Sequence, residues 1–298
     1  MRYILTIALA LLASASTRAQ SPALRSLGTT LHTITDTAKG TIGIALLDLE
    51  TNDTLTIGNV HHYPMQSTYK FPLALAILHM ADEGSLKLTD PVYIPASQLD
   101  TATWSPMLKD HPDQGFFSLS VQELLAYSVG LSDNNACDIL FRQAGGTRPV
   151  NDYIHRLGIK GMEIAATEAE MKTGWPVQYT NRSTPIAMAQ LLQQWYNGKV
   201  LSKANTALLM DMMVNSLNSP NRIKGLLPKA ALVAHKTGTS DNNSEGIKAA
   251  VNDIGIVTTP NGRHFAIVVF VSDYKGDTPY GEFIIAQIAR LAWDHFSK

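Results

Sequence analysis

The stretch AVNDIGIVTTPNGRHFAIVVFVSD, Ala250 to Asp273, decides the fold. Two runs rich in Val and Ile are joined by Pro260-Asn261-Gly262-Arg263, and an Asn-Gly pair between β-branched runs marks an antiparallel hairpin. Behind it GEFIIAQIARLAWDHF has the apolar spacing of an amphipathic helix that closes the chain. Near the other end TIGIALLDLETNDTLTIG, Thr41 to Gly58, reads as a second hairpin around Thr51-Asn52-Asp53, after the helix-compatible SPALRSLGTTLHTITDTAKG. The middle, from about Ser67 to Asn215, carries helix-compatible runs such as FPLALAILHMADEG, SVQELLAYSVG and PIAMAQLLQQWYNG, each stopped by a glycine. The order is helix, strands, many helices, strands, helix. Strands from both ends completing one antiparallel sheet would form an α/β subdomain, at about residues 20–62 and 218–298, with a helical subdomain, about 63–217, inserted into it. A cleft is expected between the two parts of this single domain, 20–298.

Residues 1–19 read differently. Arg2 precedes an apolar run from Tyr3 to about Ala13, and Thr17 and Ala19 supply the small residues of a cleavage site. This is the pattern of a secretory signal peptide cut after Ala19. The run is shorter than the roughly 20 apolar residues of a spanning helix, so the expected product is exported, periplasmic and off the membrane. Cys137 is the only cysteine, which rules out an internal disulfide. Loss of Arg2 and Arg18 turns 24 basic against 25 acidic side chains into 22 against 25. A surface so close to neutral argues against nucleic acid or anionic membrane as partner. At 45% hydrophobic and 16% charged, the chain can bury a large core, and no repeat or low-complexity tract suggests another architecture. The nine histidines show no metal-ligand spacing, His61-His62 reads as loop, and no glycine-rich phosphate loop occurs, so no metal or cofactor is expected. A monomer is the default.

Three short motifs carry chemistry. Ser67-Thr68-Tyr69-Lys70 places a hydroxyl and an amine three residues apart, on one face of a helix, where a desolvated lysine can take the serine proton. Pro72 marks the helix start, which puts Ser67 at the positive end of the dipole. A surface lysine beside an ordinary serine is the alternative. SDNNACD, Ser132 to Asp138, reads either as a helix N-cap at Ser132 or Asp133, or as a proton relay at Ser132 with Asn134 able to hold both a lysine and a substrate amide. HKTGTS, His235 to Ser240, offers fixed charge at Lys236, hydroxyls at Thr237 and Thr239, and at Gly238 room for a substrate against a strand; the alternative is a strand-end turn, with His235 a structural neighbour.

Ser-x-x-Lys, Ser-Asp-Asn about 65 residues on and Lys-Thr-Gly about 100 further resemble, in order and spacing, class A serine β-lactamases. The resemblance spans the mature chain, and PDQGF, SDNNACDIL and VNDIGIV are similar to the branch found in Bacteroidetes and PER-type extended-spectrum enzymes. It implies the α+β fold of serine β-lactamases and penicillin-binding proteins, a five-stranded antiparallel sheet flanked by helices with an all-helical insertion. It implies hydrolysis of penicillins and cephalosporins by a Ser67 acyl-enzyme. Lys70 would assist proton removal, Ser132 would pass a proton to the ring nitrogen, and Lys236 with Thr237 would hold the substrate carboxylate. Backbone N–H groups of Ser67 and Thr239 would make the oxyanion hole.

The family pattern Glu-x-x-Leu-Asn, whose glutamate activates the deacylating water, falls on Glu168-Ala169-Glu170-Met171-Lys172. Glu168 is the implied base, Glu170 a solvated loop acid, and Met171 a near-isosteric replacement. Lys172 departs from the pattern, because an ammonium only donates and adds a charge. Two placements are open: paired with Glu168 or Glu170, or turned to solvent with the water held differently. Ala166 and Asn181 stand where many relatives pair an arginine with an aspartate, so that bridge cannot form. Arg222 matches a carboxylate-directed arginine of some relatives or is an ordinary surface arginine; Trp104 is the aromatic of the cleft mouth or a buried core residue. A D,D-peptidase, a non-hydrolysing β-lactam sensor and a serine esterase are the competing readings.

Overall fold

The computed structural model describes residues 22–112 and 115–298; the signal-peptide reading, and Asp113 and Gln114 of PDQGF, lie outside them. Along the chain run α1 (Pro22–Thr35), β1 (Thr41–Asp48), β2 (Thr54–Ile57), β3 (Tyr63–Pro64), α2 (Lys70–Asp82) and β4 (Pro91–Pro95). Next come α3 (Pro106–Asp110), β5 (Phe116–Ser120), α4 (Val121–Leu125), α5 (Asn134–Gln143), α6 (Thr147–Arg156), β6 (Met162–Glu163) and α7 (Glu168–Met171). The last elements are β7 (Arg182–Ser183), α8 (Pro185–Tyr196), α9 (Lys203–Val214), β8 (Leu232–Thr239), β9 (Lys248–Thr258), β10 (His264–Tyr274) and α10 (Thr278–Phe296).

Strands from the two ends of the chain build one antiparallel sheet in the order β2-β1-β10-β9-β8. The Ala250–Asp273 stretch supplies the centre of that sheet, with Phe265 opposite Val257 and Val268 opposite Ile254 across the hairpin. Successive side chains of a strand point to opposite faces, and β10 shows the result. Ala266, Val268 and Phe270 enter one core with α2 and the inserted helices, while Phe265, Ile267, Val269 and Val271 enter the other with α1 and α10. A strand covered on both faces must be apolar at every position, which is why this stretch is a continuous hydrophobic run. Each Val, Ile and Phe side chain among them contributes about 1.5–3 kcal/mol by leaving water.

The inserted part holds α2 to α9, and its centre is α2, whose residues from Lys70 to Leu78 are all buried. It also carries two short pairings that the helical reading did not anticipate, β4 with β5 and the set β3-β7-β6. The run SVQELLAYSVG is helical but not uniform, because α4 passes into a π-helical turn at Ala126–Gly130. Strand β8, at the sheet edge, faces the start of α2, and the cleft lies along that edge.

Candidate active site

Ser67 sits in a 3-10 turn, Gln66–Tyr69, that leads directly into α2. Gln66 is held at φ 47°, a left-handed conformation that costs on the order of 1–3 kcal/mol for a non-glycine residue and is typical of functional sites. The half-buried Ser67 opens on a cavity of about 260 Å³ shared with Trp104, Ser132, Asn134, Thr237 and Thr239. All three sequence motifs therefore meet at one cleft.

Lys70 is fully buried, and its ammonium donates to Ser132 O at 2.9 Å and to Asn134 Oδ1 at 2.6 Å. Its third partner is Glu168, with Nζ 3.0 Å from Oε1. Glu168 Oε1 is buried, and its contact with the Lys70 ammonium is an ion pair rather than a well-aligned hydrogen bond. Asn134 uses its amide nitrogen on Thr103 Oγ1 at 2.8 Å.

Ser132 also carries a positive φ, 57°, and its hydroxyl accepts from Lys236 Nζ at 2.8 Å. Its backbone and side chain thus stand between two lysines. Burial, and then the Lys70 charge, push the Lys236 amine well below its ordinary range. The helix cap falls on the next residue: Asp133 Oδ1 accepts from Ala136 N at 2.8 Å and Oδ2 from Met107 N and Ser105 Oγ. The two readings of this motif divide between neighbours, cap at Asp133 and cleft at Ser132.

On β8, Ser240 N–H donates to Ala250 O, so by the alternation of an antiparallel ladder the N–H of Thr239 points away from β9. A Cβ on Gly238 would lie 2.6 Å from Met65 O and 3.1 Å from Ser67 N. The neighbouring backbone thus requires glycine here whatever occupies the cleft, which Gly238 also lines. The same close approach packs the backbone at Ser67 against β8 at Gly238. His235 is fully buried against Asp253, Nδ1 to Oδ2 2.9 Å, and takes no place in the cleft.

Arg222 is 1% exposed, which excludes a surface role. Its guanidinium donates to Gly238 O at 3.0 Å, Asn252 O at 2.8 Å and Thr239 Oγ1 at 2.6 Å, and Nε faces Glu282 at 3.2 Å. It braces β8 from behind. Trp104 is 54% exposed, with Nε1 donating to Leu131 O at 3.0 Å and Lys109 Nζ 4.9 Å above its ring, so it stands at the mouth and not in the core.

The loop bearing Glu168 is held by groups to which the sequence motifs assigned no such part. Asp138, on α5, accepts from the N–H of Glu168 at 2.7 Å and of Ala169 at 3.0 Å. Burial pushes the Asp138 carboxyl up to about 6, against the lowering by those two N–H groups. Asn181 is fully buried and accepts from Ala165 N and Ala166 N while donating to Ala166 O. This neutral clip replaces the missing salt bridge. Glu170 is not simply a solvated acid: with Thr167 it forms a capping box, Thr167 N to Oε2 2.8 Å, that starts α7. Lys172 takes neither expected placement. It pairs with Asp100 and donates to Ala102 O at 3.3 Å. The only local hint was the position of Asp138 within SDNNACD; Asp100 is remote in sequence and gave none. Among the described residues, no group of three His, Cys, Asp or Glu side chains is arranged to hold a metal ion.

Comparison with known proteins agrees with this geometry. The model of the β-lactamase enzyme family matches residues 26–296. The chain is 40% identical to β-lactamase VEB-1 of Pseudomonas aeruginosa over 86% of its own length and 85% of that protein's. It is 38% identical to extended-spectrum β-lactamase PER-1 of the same organism, over 97% and 92%. The crystal structure of TLA-3 extended-spectrum β-lactamase superposes with a TM-score of 0.90 at 45% identity, covering 92% of this chain and 100% of that one. The chain therefore belongs to the β-lactamase enzyme family, as a class A serine β-lactamase.

Proposed function

We propose that Ser67 Oγ attacks the β-lactam carbonyl and that water activated by Glu168 releases the product. The observation that carries this reading is the buried Lys70–Glu168 pair, 3.0 Å apart, beside Ser67. A proton passed from Lys70 to Glu168 leaves an amine able to take the Ser67 hydroxyl proton as the Oγ–C bond forms. Ser67 N–H and Thr239 N–H meet the oxygen on which charge develops, where each donor is worth about 3 kcal/mol. Ser132, held by Lys236, passes a proton to the ring nitrogen as the C–N bond breaks. Lys236 and Thr237 hold the substrate carboxylate, Asn134 the side-chain amide, and Trp104 covers the mouth. Lys70, carrying the Ser67 proton, then replaces the one Ser132 gave up, and Glu168 returns its own proton to Lys70, so the carboxylate is restored. In the second step water attacks the ester and its proton goes to Glu168, the Oγ–C bond breaks, Oγ takes a proton from Lys70, and Glu168 passes its proton back to Lys70.

A second cavity, about 330 Å³ and lined by Glu168, Trp175, Gln178 and Asp241, adjoins the cleft through Asn134 and Thr239. It supports a spectrum that includes penicillins, cephalosporins and compounds with bulky acyl side chains. The protein acts without a cofactor, as a monomer in the periplasm after removal of residues 1–19. The mature protein should turn over a chromogenic cephalosporin many times per molecule. A single stoichiometric burst would instead mark a penicillin-binding peptidase or a non-hydrolysing binding protein.

A further inference from the structure

Lys172 follows Glu168 by four residues and caps the same helical turn, at φ −74° and ψ −17°. A glutamate four residues ahead of a lysine on a helix is the favoured order for an ion pair. Both side chains line the cavity of about 330 Å³. Glu168 is thus the default partner of the Lys172 ammonium, yet that ammonium is turned onto Asp100.

Asp100 is held in place by other groups. Its N–H donates to Asn135 Oδ1 at 2.9 Å, and its carbonyl accepts from Asn135 Nδ2 at 3.0 Å. Its Oδ1 accepts from Ala102 N at 2.8 Å, and Asn135 is buried on α5. The carboxylate therefore waits at a fixed point, and the Lys172 hydrogen bond keeps it below its ordinary range. The other charged groups around Glu168 are Lys70 from α2, Asp138 from α5, Asp241 across the shared cavity and, farther off, Lys236 from β8.

We infer that Asp100 is a positioning residue for deacylation, which holds the Lys172 ammonium away from Glu168. A second cation on that carboxylate would favour its charged form and weaken it as the acceptor of the water proton. An ammonium in that space would also offer donors only, where the attacking water must give up a proton. Asparagine, usual at this place in the family, poses no such problem; a lysine here requires a remote acid to hold it. The inference rests on Glu168 being the deacylation base.

The test measures acylation burst, steady-state turnover of a chromogenic cephalosporin and intact mass on the mature protein. For Asp100→Asn the burst rate stays within about twofold, while turnover falls about tenfold and acyl-enzyme accumulates on Ser67. Adding Lys172→Met to Asp100→Asn brings turnover back to within about twofold of the parent, and Lys172→Met alone is equally close. A mere structural tie between the two loops predicts the opposite, since removing the second partner cannot restore it. Parental turnover in Asp100→Asn, or a defect that Lys172→Met leaves in place, overturns the inference. If Asp100→Asn fails to acylate, Lys172→Met alone decides: a tenfold loss of turnover there overturns it, and near-parental turnover supports it. Glu168→Gln, run in parallel, separates the two levels, because normal turnover in that variant removes the base assignment itself.

Discussion

Lys70 and Glu168 face one another at 3.0 Å, one from the first residue of a buried helix and the other from the first residue of a short helix far along the chain. Neither charge is stable in such a place without its partner, and the pair neutralises itself beside Ser67.

Glu168→Gln keeps the shape and removes the base. Its deacylation is expected to fall by about 10²–10⁴, the range of a lost general base, while Ser67 still acylates, more slowly because Lys70 has lost its proton acceptor. Intact-protein mass spectrometry after brief exposure to a penicillin should show a persistent adduct of substrate mass. A variant that clears its adduct as fast as the parent would place the base elsewhere.

Arg222→Met should destabilise the fold. It strands Glu282 without its ion partner and leaves the buried carbonyls of Gly238 and Asn252 without their guanidinium donors. The cost expected in urea unfolding is about 3–5 kcal/mol. Arg222→Lys should recover less than half of it, because a point charge cannot span Gly238 O, Asn252 O and Thr239 Oγ1 as the planar fork does.

Gly238→Ala forces a methyl to within 2.6 Å of Met65 O and 3.1 Å of Ser67 N, both backbone atoms. Backbone at both sides must shift, and the two N–H groups of the proposed oxyanion hole move apart. Steady-state kinetics should show kcat/KM reduced by about 10²-fold or more, with unfolding free energy lowered by about 1–3 kcal/mol. Unchanged kinetics would mean that the two donors do not act together.

Asp138 makes stability depend on pH. Its folded value of about 6 lies above the ordinary 3.8, so the folded state holds its proton more tightly than the unfolded chain. That contribution is complete below 3.8 and is lost as pH rises through 6. Relative to Asp138→Asn, which does not titrate, the parent should lose on the order of 1 kcal/mol between pH 5 and pH 8. Urea titrations of both proteins at the two pH values check the sign; a parent that gains on the variant as pH rises contradicts it.

The hairpins, the helical middle and the three motifs were legible because each is written locally. Alternation in Thr41–Gly58, the Asn261-Gly262 turn and glycines after apolar runs act within a few residues of themselves. Motif spacing then brought Ser67, Lys70, Ser132 and Lys236 to one cleft, where the structure has them. The same logic failed for Lys172, whose nearest acids in sequence are Glu168 and Glu170 while its partner is Asp100. Glu170 was out of reach because it caps its own helix with Thr167, and Glu168 because it belongs to Lys70.

The sequence by itself determined which residues are apolar on alternate positions, where the chain turns, and which nucleophile, amines and acids are available in what order. Only the tertiary structure decided who neutralises whom: Glu168 with Lys70, Lys172 with Asp100, Arg222 with Glu282, and Asn181 on loop backbone instead of a salt bridge. Periodicity is a property of neighbours a few residues apart. The pairing of buried charges depends on distances of a few ångströms between elements far apart in the chain, set by how the two cores pack against the sheet.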